Sequence, residues 1–437
     1  MGNIGRLTAW NIEQAGATPA GPDGFIDTLT GGGDSRLVIG RLGGVNKYLC
    51  PPVPAPDLVC VSSCTASPIA PAAFRRCAET FVRLNSSASP GDEWAGLHRQ
   101  IETRLLACFG ASGLAHAILC PSGTDALLTA TMLLAGERPG SGIAAILPQA
   151  SETGSGVPRA ASLRPFDGPA ALAPPPIDHA ARVVEVALRW PNGTPIDGNR
   201  VAEAFKAAAS AATDRPVVFL THGTKTGLIA PVIPPSGPDV IVDACQGRIA
   251  PETVARYLRR GWPVVVTGSK FFGGPAFSGA VLFPSARGAA RPRGQPNPGM
   301  LLRWLAALDT IEAFAAIGSQ CAGRVQVQRH AIEAGLAATP NVVPLPGLSA
   351  HGPGWSDAAT IFSFALRSPG GRLLTAAELR PIYTRLAQHG VLLGQPVEFG
   401  QFGALRIAIG ARDTFLPPTA DQRMPDLFAA LREEALS

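Results

Sequence analysis

Between residues 115 and 284 the chain repeats one pattern. Short, continuously apolar runs alternate with longer stretches of helical character. "AHAILC", "IAAILP", "PVVFLT", "DVIVDA", "PVVVTG" and "GAVLFP" read as strands. Between them, "GTDALLTATMLLAG", "GNRVAEAFKAAASAA" and "PETVARYLRRG" read as helices, the last with proline in its first turn. A strand that is apolar on both faces must be covered on both faces. The pattern therefore predicts an α/β fold with a large, mostly parallel sheet between two helical layers. A chain of 437 residues leaves room for more than this one unit. Residues 1–90 are rich in Gly, Pro and Ser, as in "CPPVPAPD", and read as an irregular N-terminal arm. Residues 91–300 form the large domain. Residues 301–437 read as a smaller C-terminal α+β domain, with a long helix "GMLLRWLAALDTIEAFAAIG", strands "TIFSFAL" and "ALRIAIG", and a helix "TAAELRPIYTRLAQHG".

Composition excludes several classes. The net charge is +5, but the basic residues are scattered, so no nucleic-acid surface is expected. No apolar run has the length of a membrane span, and the N-terminus lacks the pattern of a signal peptide. Eight dispersed cysteines without a CxxC pair point to reduced thiols, a cytoplasmic location and no structural metal. "HGTKTG" looks like a phosphate-binding loop, but Thr224 stands where glycine should precede Lys225, so a nucleotide site is not expected.

In an open α/β sheet, ligands bind beyond the carboxyl ends of the strands. Four such positions carry polar groups. Ser122, Gly123 and Thr124 lie between a strand and a helix, where free backbone N–H groups suit an anion. Asp243 follows four apolar residues, so its carboxylate lies at a buried strand end and needs a partner. Lys270 follows 27 residues later, with one helix and one strand between. It is one of only four lysines beside 33 arginines, and desolvation there would make its amine nucleophilic. Arg406 sits between apolar Leu405 and Ile407, on the opposite face of its strand, where a guanidinium can grip a carboxylate with two bonds. Each position has an ordinary structural explanation. Together they are what pyridoxal 5′-phosphate (PLP) requires: an imine-forming lysine, a carboxylate at the pyridine nitrogen and a phosphate turn.

Over residues 90–437 these motifs resemble the fold-type I PLP-dependent enzymes, in particular the class V aminotransferase and cysteine desulfurase branch. The resemblance implies that Lys270 in "TGSK" is the Schiff-base lysine, with Thr267 and Ser269 as phosphate ligands beside Gly123 and Thr124. It implies that Asp243 meets the pyridine nitrogen, and that Gln246 and Thr224 lie near the phenolic oxygen of the cofactor. Arg406 would bind the substrate α-carboxylate. Gln295, in "RGQPNPG", would reach the phosphate of a partner subunit, which implies a homodimer. The sequence departs from that branch in two places. Ser269 stands where histidine often precedes the lysine, and "PQASETGSGVP" offers neither histidine nor aromatic to stack on the ring, leaving Glu152 or Thr153 to cover it.

These motifs are shared by enzymes of several reaction types acting on a small amino-acid substrate. No cysteine lies between His389 and Arg406, and Cys245 is expected to point away from Asp243, which argues against persulfide chemistry. Transamination is the leading expectation. A Cβ–X lyase or another decarboxylating or carbon–carbon-forming enzyme is the alternative, and a non-catalytic PLP-fold binding protein ranks lower because lysine and aspartate are both present.

Overall fold

The computed structural model describes residues 22–39, 44–166, 181–288, 296–318, 320–346, 354–415 and 423–436. Its strands are β1 (Val59–Cys60), β2 (Ala115–Cys120), β3 (Ile143–Pro148), β4 (Arg182–Val186), β5 (Arg215–His222), β6 (Ile229–Ala230), β7 (Asp239–Ala244), β8 (Val264–Thr267), β9 (Gly279–Pro284), β10 (Val342–Pro344), β11 (Ile361–Leu366), β12 (Val391–Leu392), β13 (Gly394–Phe399) and β14 (Phe402–Ala408).

The large sheet runs β2-β9-β8-β7-β5-β3-β4, with β6 paired to β5. The pairs β3–β4, β3–β5, β5–β7 and β7–β8 are parallel, and β9 is antiparallel to both of its neighbours. Reversing twice through β9 leaves β2 parallel to β8. The carboxyl ends of β2, β8, β7 and β5 therefore share one edge. Strands β3, β8 and β9 are buried throughout, which is why they read as unbroken apolar runs. One core lies on the face covered by the helices Pro90–Cys108 and Pro298–Ile317, and another under the helix Gly123–Gly136. The helix Pro298–Ile317 carries Met300 to Phe314 into the first of these cores, so its apolar residues belong with the large sheet.

A second sheet, antiparallel in the order β10-β11-β14-β13, packs against the helices Gln320–Ala337, Ala376–Gln388 and Arg423–Leu436. The helix Ala376–Gln388 starts with a capping box, Thr375 and Glu378.

The arm is more ordered than its composition suggests. It contains the helices Pro22–Thr30 and Pro71–Asn85. Proline punctuates the segment without making it irregular, because proline at a helix start costs no hydrogen bond. The helix Pro71–Asn85 buries Phe74, Cys77 and Leu84. Between the helices, β1 adds in parallel to β12, Val59 to Val391 and Cys60 to Leu392. All eight cysteines are unpaired. Among the described residues no helix is long and apolar enough to cross a membrane.

Candidate active site

At the shared carboxyl edge lies a cavity of about 370 Å³. Its wall includes Ser122, Gly123, Thr124, Asp243, Thr267, Ser269, Lys270 and Arg406. Residues far apart in sequence meet here because the strands that carry them are neighbours. In register, Thr221 pairs with Asp243, and Asp243 with Val265, two residues before the end of β8.

Lys270 is held at its backbone. Phe271 and Phe272 are buried in the core, and Phe271 stacks on Trp355 at 4.9 Å between ring centroids. Gly273 N–H donates to Lys270 O (2.8 Å), and Gly274 N–H to Gly268 O (2.9 Å). A side chain at Gly268 or Gly274 would collide with Ala307 of the helix behind the loop, so that helix can close on the lysine turn only over glycine. The half-buried Lys270 side chain enters the cavity. Among the described residues its Nζ makes no hydrogen bond or ion pair.

Asp243 is 5% exposed. One carboxylate oxygen accepts the Cys245 N–H at 3.0 Å, which fixes the group. A buried carboxylate without a cation is expensive, so the cavity is incomplete as it stands.

The turn at Ser122–Thr124 opens the helix Gly123–Gly136. The Ser122 hydroxyl caps it, accepting the Asp125 N–H (3.1 Å) and donating to the Asp125 carboxylate (2.7 Å). The first N–H groups of the helix are left for an anion. A guanidinium that sequence reading did not find stands over this turn. Arg36 of the arm is 8% exposed and reaches Thr124 Oγ1 from Nη1 at 3.3 Å. Asp34 grips its Nε at 2.9 Å, and the guanidinium carbon lies 4.0 Å from the centroid of Phe166 and 5.1 Å from that of Phe277.

The predicted ligands divide. Ser269 is buried and lines the cavity. Thr267 also lines it, but its hydroxyl donates to Cys245 O (2.7 Å) and is not available as a phosphate donor. Thr224 is turned away: its Oγ1 accepts the N–H of Thr226 (3.3 Å) and of Leu228 (3.0 Å), closing its own turn. The next residue, Lys225, lines the cavity instead. Gln246 is occupied by the chain as well, donating to Cys64 O (3.2 Å) and accepting from Arg248 Nη1 (2.9 Å). Gln295 lies outside the described residues. Glu152 does not face the cavity either; it forms a buried ion pair with Arg189 at 2.6 Å and accepts from the Thr226 hydroxyl. Thr153 is buried with its hydroxyl unpartnered.

The expectation for Cys245 is corrected. Residues two apart on a strand face the same side, so Cys245 joins Asp243 on the cavity wall. Burial pushes its thiol well above the usual range and Asp243 adds to this, so it stays protonated and weakly nucleophilic. Cys64 enters the wall from the arm, in the polar segment "CVSSCTAS".

Arg406 is 3% exposed. Its Nε and Nη2 donate to Gln395 O (3.2 and 2.7 Å), Nη1 to Lys225 O (3.0 Å) and Nη2 also to the Thr65 hydroxyl (3.2 Å). The fork is therefore not open, as expected from sequence, but four-fifths occupied by neutral acceptors. No carboxylate pairs with it among the described residues. An anion that takes the remaining Nη1 N–H and displaces the Thr65 hydroxyl replaces a neutral acceptor with a charged one.

Together the wall offers an anion turn with a guanidinium over it, an unpaired amine, an anchored carboxylate and a buried unpaired guanidinium. That set of groups fits PLP and an amino acid.

No protein-family model and no curated protein matches the sequence. Solved structures do resemble it. The glutamate decarboxylase domain of a diaminobutyrate-pyruvate transaminase and L-2,4-diaminobutyrate decarboxylase from Vibrio parahaemolyticus is 13% identical, covering 99% of this chain and 95% of that one, with a TM-score of 0.57. The cysteine desulfurase CsdA of Escherichia coli is 15% identical over 87% of this chain and 95% of its own, at 0.54. The cystine C–S lyase C-DES is 14% identical over 86% and 98%, at 0.57. A variant of C-DES holds glycine covalently linked to its PLP cofactor. At these identities the likeness concerns architecture: this chain has the fold of the type I PLP-dependent enzymes.

Proposed function

We propose that the chain is a PLP-dependent enzyme that acts on an α-amino acid, by transamination. One observation carries this reading: Lys270, Asp243, the Ser122–Thr124 turn and Arg406 line a single cavity, each with binding capacity that the chain itself leaves unused. The architecture shared with C-DES, whose PLP is covalently engaged, supports the same choice of cofactor.

In this reading the helix N-terminus and Arg36 hold the phosphate. Asp243 faces the pyridine nitrogen and keeps it protonated. Lys270 would hold the cofactor and, once released from it, would take the proton from the substrate α-carbon and return it to the cofactor, as transamination requires. Arg406 orients that carbon by holding the α-carboxylate. When bound, PLP supplies an electron sink for the α-carbon. The experiment that tests the reaction is a stoichiometry. Holoprotein given one amino acid should release one keto acid per site and no ammonia. Continuous release of ammonia with the keto acid would make the enzyme a lyase.

Arg36→Ala should weaken PLP binding about tenfold to a hundredfold, as expected for losing a charge-assisted bond of roughly 1.5–3 kcal/mol. Pyridoxal, which lacks the phosphate, should lose much less. Titration of apoprotein with both compounds checks this, and equal losses would leave Arg36 as a mere brace for the arm.

Arg406→Lys should weaken amino-acid binding by about tenfold to a hundredfold, because an ammonium cannot reproduce the two parallel bonds. The loss for a simple amine of the same side chain should be much smaller. Titrating holoprotein with an amino acid and its decarboxylated counterpart separates the two, and equal losses would make Arg406 structural.

A further inference from the structure

Arg406 is not alone. Lys47, Lys225, Lys270 and Arg380 line the same cavity, and Asp243 is the one acid on its wall among the described residues. None of these five cations forms an ion pair among the described residues. The proposed cofactor and substrate neutralise only part of this set. Lys270 is consumed in attachment, Asp243 is matched by the pyridine nitrogen, and the phosphate is met at the other end by Arg36, which already has Asp34. An α-carboxylate neutralises Arg406. Lys225, Lys47 and Arg380 are left over.

Lys225 is the informative one. Lys47 and Arg380 are exposed, where water screens their charge, but Lys225 is half-buried. Its Nζ has one bond, to Ala150 O at 3.1 Å, which leaves two donors. Its own carbonyl accepts from Arg406 Nη1, so it adjoins the place where the α-carboxylate binds. Lys47 approaches the same place, its carbonyl accepting from Gln395 Nε2 at 3.1 Å while the Gln395 carbonyl accepts from Arg406. Glu152, committed to Arg189 and Thr226, and the exposed Glu398 offset the Lys225 charge only at a distance, since neither forms an ion pair with it among the described residues. Holding like charges together in a partly dry cavity is unfavourable unless a ligand brings the opposite charge.

We infer that the substrate carries a second negative group at the end of its side chain, and that Lys225, supported by Lys47 and Arg380, binds it. This rests on the amino-acid reading above. The substrate class is an α-amino acid with an acidic side chain, and carboxylate, sulfonate and phosphate termini share the required chemistry.

The test compares acids with neutral isosteres. Wild-type holoprotein is titrated spectroscopically with aspartate against asparagine, glutamate against glutamine, cysteate and phosphoserine against serine. At least one acid should bind about tenfold or more tightly than its neutral partner, the worth of a charge-assisted bond. Which pair shows the largest ratio identifies the terminus. The ratio should shrink as salt rises. It should also fade as pH rises through the titration of the Lys225 ammonium, which burial and Arg406 lower from the usual lysine range against the opposing pull of Glu152 and Glu398. Lys225→Gln should bring the ratio towards one, and Lys225→Arg should restore much of it. Ratios near one in the wild type, or a Lys225→Gln loss shared equally by acid and neutral ligand, would overturn the inference while leaving the amino-acid reading standing. A spectrum that responds to no amino acid would overturn both.

Discussion

Lys270→Ala should leave a protein that folds but cannot attach PLP covalently. Borohydride treatment followed by peptide mapping should find the cofactor on the 270 peptide in the wild type and on no peptide in the variant. The argument is positional. The peptide bonds around Lys270 are fixed by Phe271 and Phe272 in the core and by the Gly273 and Gly274 hydrogen bonds, so the amine is delivered to one place. A competitor lies in the same cavity. Lys225 is lowered to about 8, so part of it is the free amine at neutral pH. Its Nζ is tied to Ala150 O, however, while Lys270 Nζ has no bond to break. Turnover should fall by at least the roughly 10²–10⁴-fold expected from losing a general acid–base group. A wild-type adduct on the 225 peptide would reverse the assignment and make Lys225 the attachment site.

Asp243→Asn is expected to keep the cofactor and lose the chemistry. The amide can still accept the Cys245 N–H, so the turn after β7 should stand. What disappears is the charge facing the pyridine nitrogen. A neutral partner no longer holds that nitrogen protonated, and the α-carbon loses much of its electron sink. Removing one preorganised electrostatic contact of this type costs about 10²–10³ in kcat. PLP affinity, measured by titration of apoprotein, should change far less than kcat. Near wild-type turnover would remove Asp243 from the mechanism. A collapse of cofactor affinity equal to the loss of rate would make it a binding residue only.

The sheet was legible because its inner strands are buried on both faces; the edge strand β2, half-buried at His116 and Ile118, was legible from its apolar run. "AHAILC", "IAAILP", "DVIVDA" and "GAVLFP" coincide with β2, β3, β7 and β9. Edge and mixed strands were less so. β4 has two exposed and two half-buried residues before its one buried position, and β13 follows a short turn out of β12. The site was legible where a backbone position decides the role, as at Gly123, Asp243 and Lys270. It was not where side-chain commitments decide. Thr224 and Gln246 stand in the expected segments, but their polar atoms are consumed by Leu228, Cys64 and Arg248. Lys225 was passed over because its neighbours resembled a failed nucleotide loop. Arg36 had no local signal at all, since its target Thr124 lies 88 residues away.

That distance has a consequence for how the chain is made. Residues 29–36 leave the ribosome early, yet the carbonyls of Leu29 and Gly31 wait for Arg303, and Ser63 waits for Ala408, 345 residues later. The arm is synthesised before the residues that seat it. Until residue 303 has emerged, the segment that carries Arg36 lacks its Arg303 anchor, so a nascent chain or one truncated before that residue should hold an open, weakly binding cavity. Cofactor capture would then mark the end of folding rather than assist its beginning.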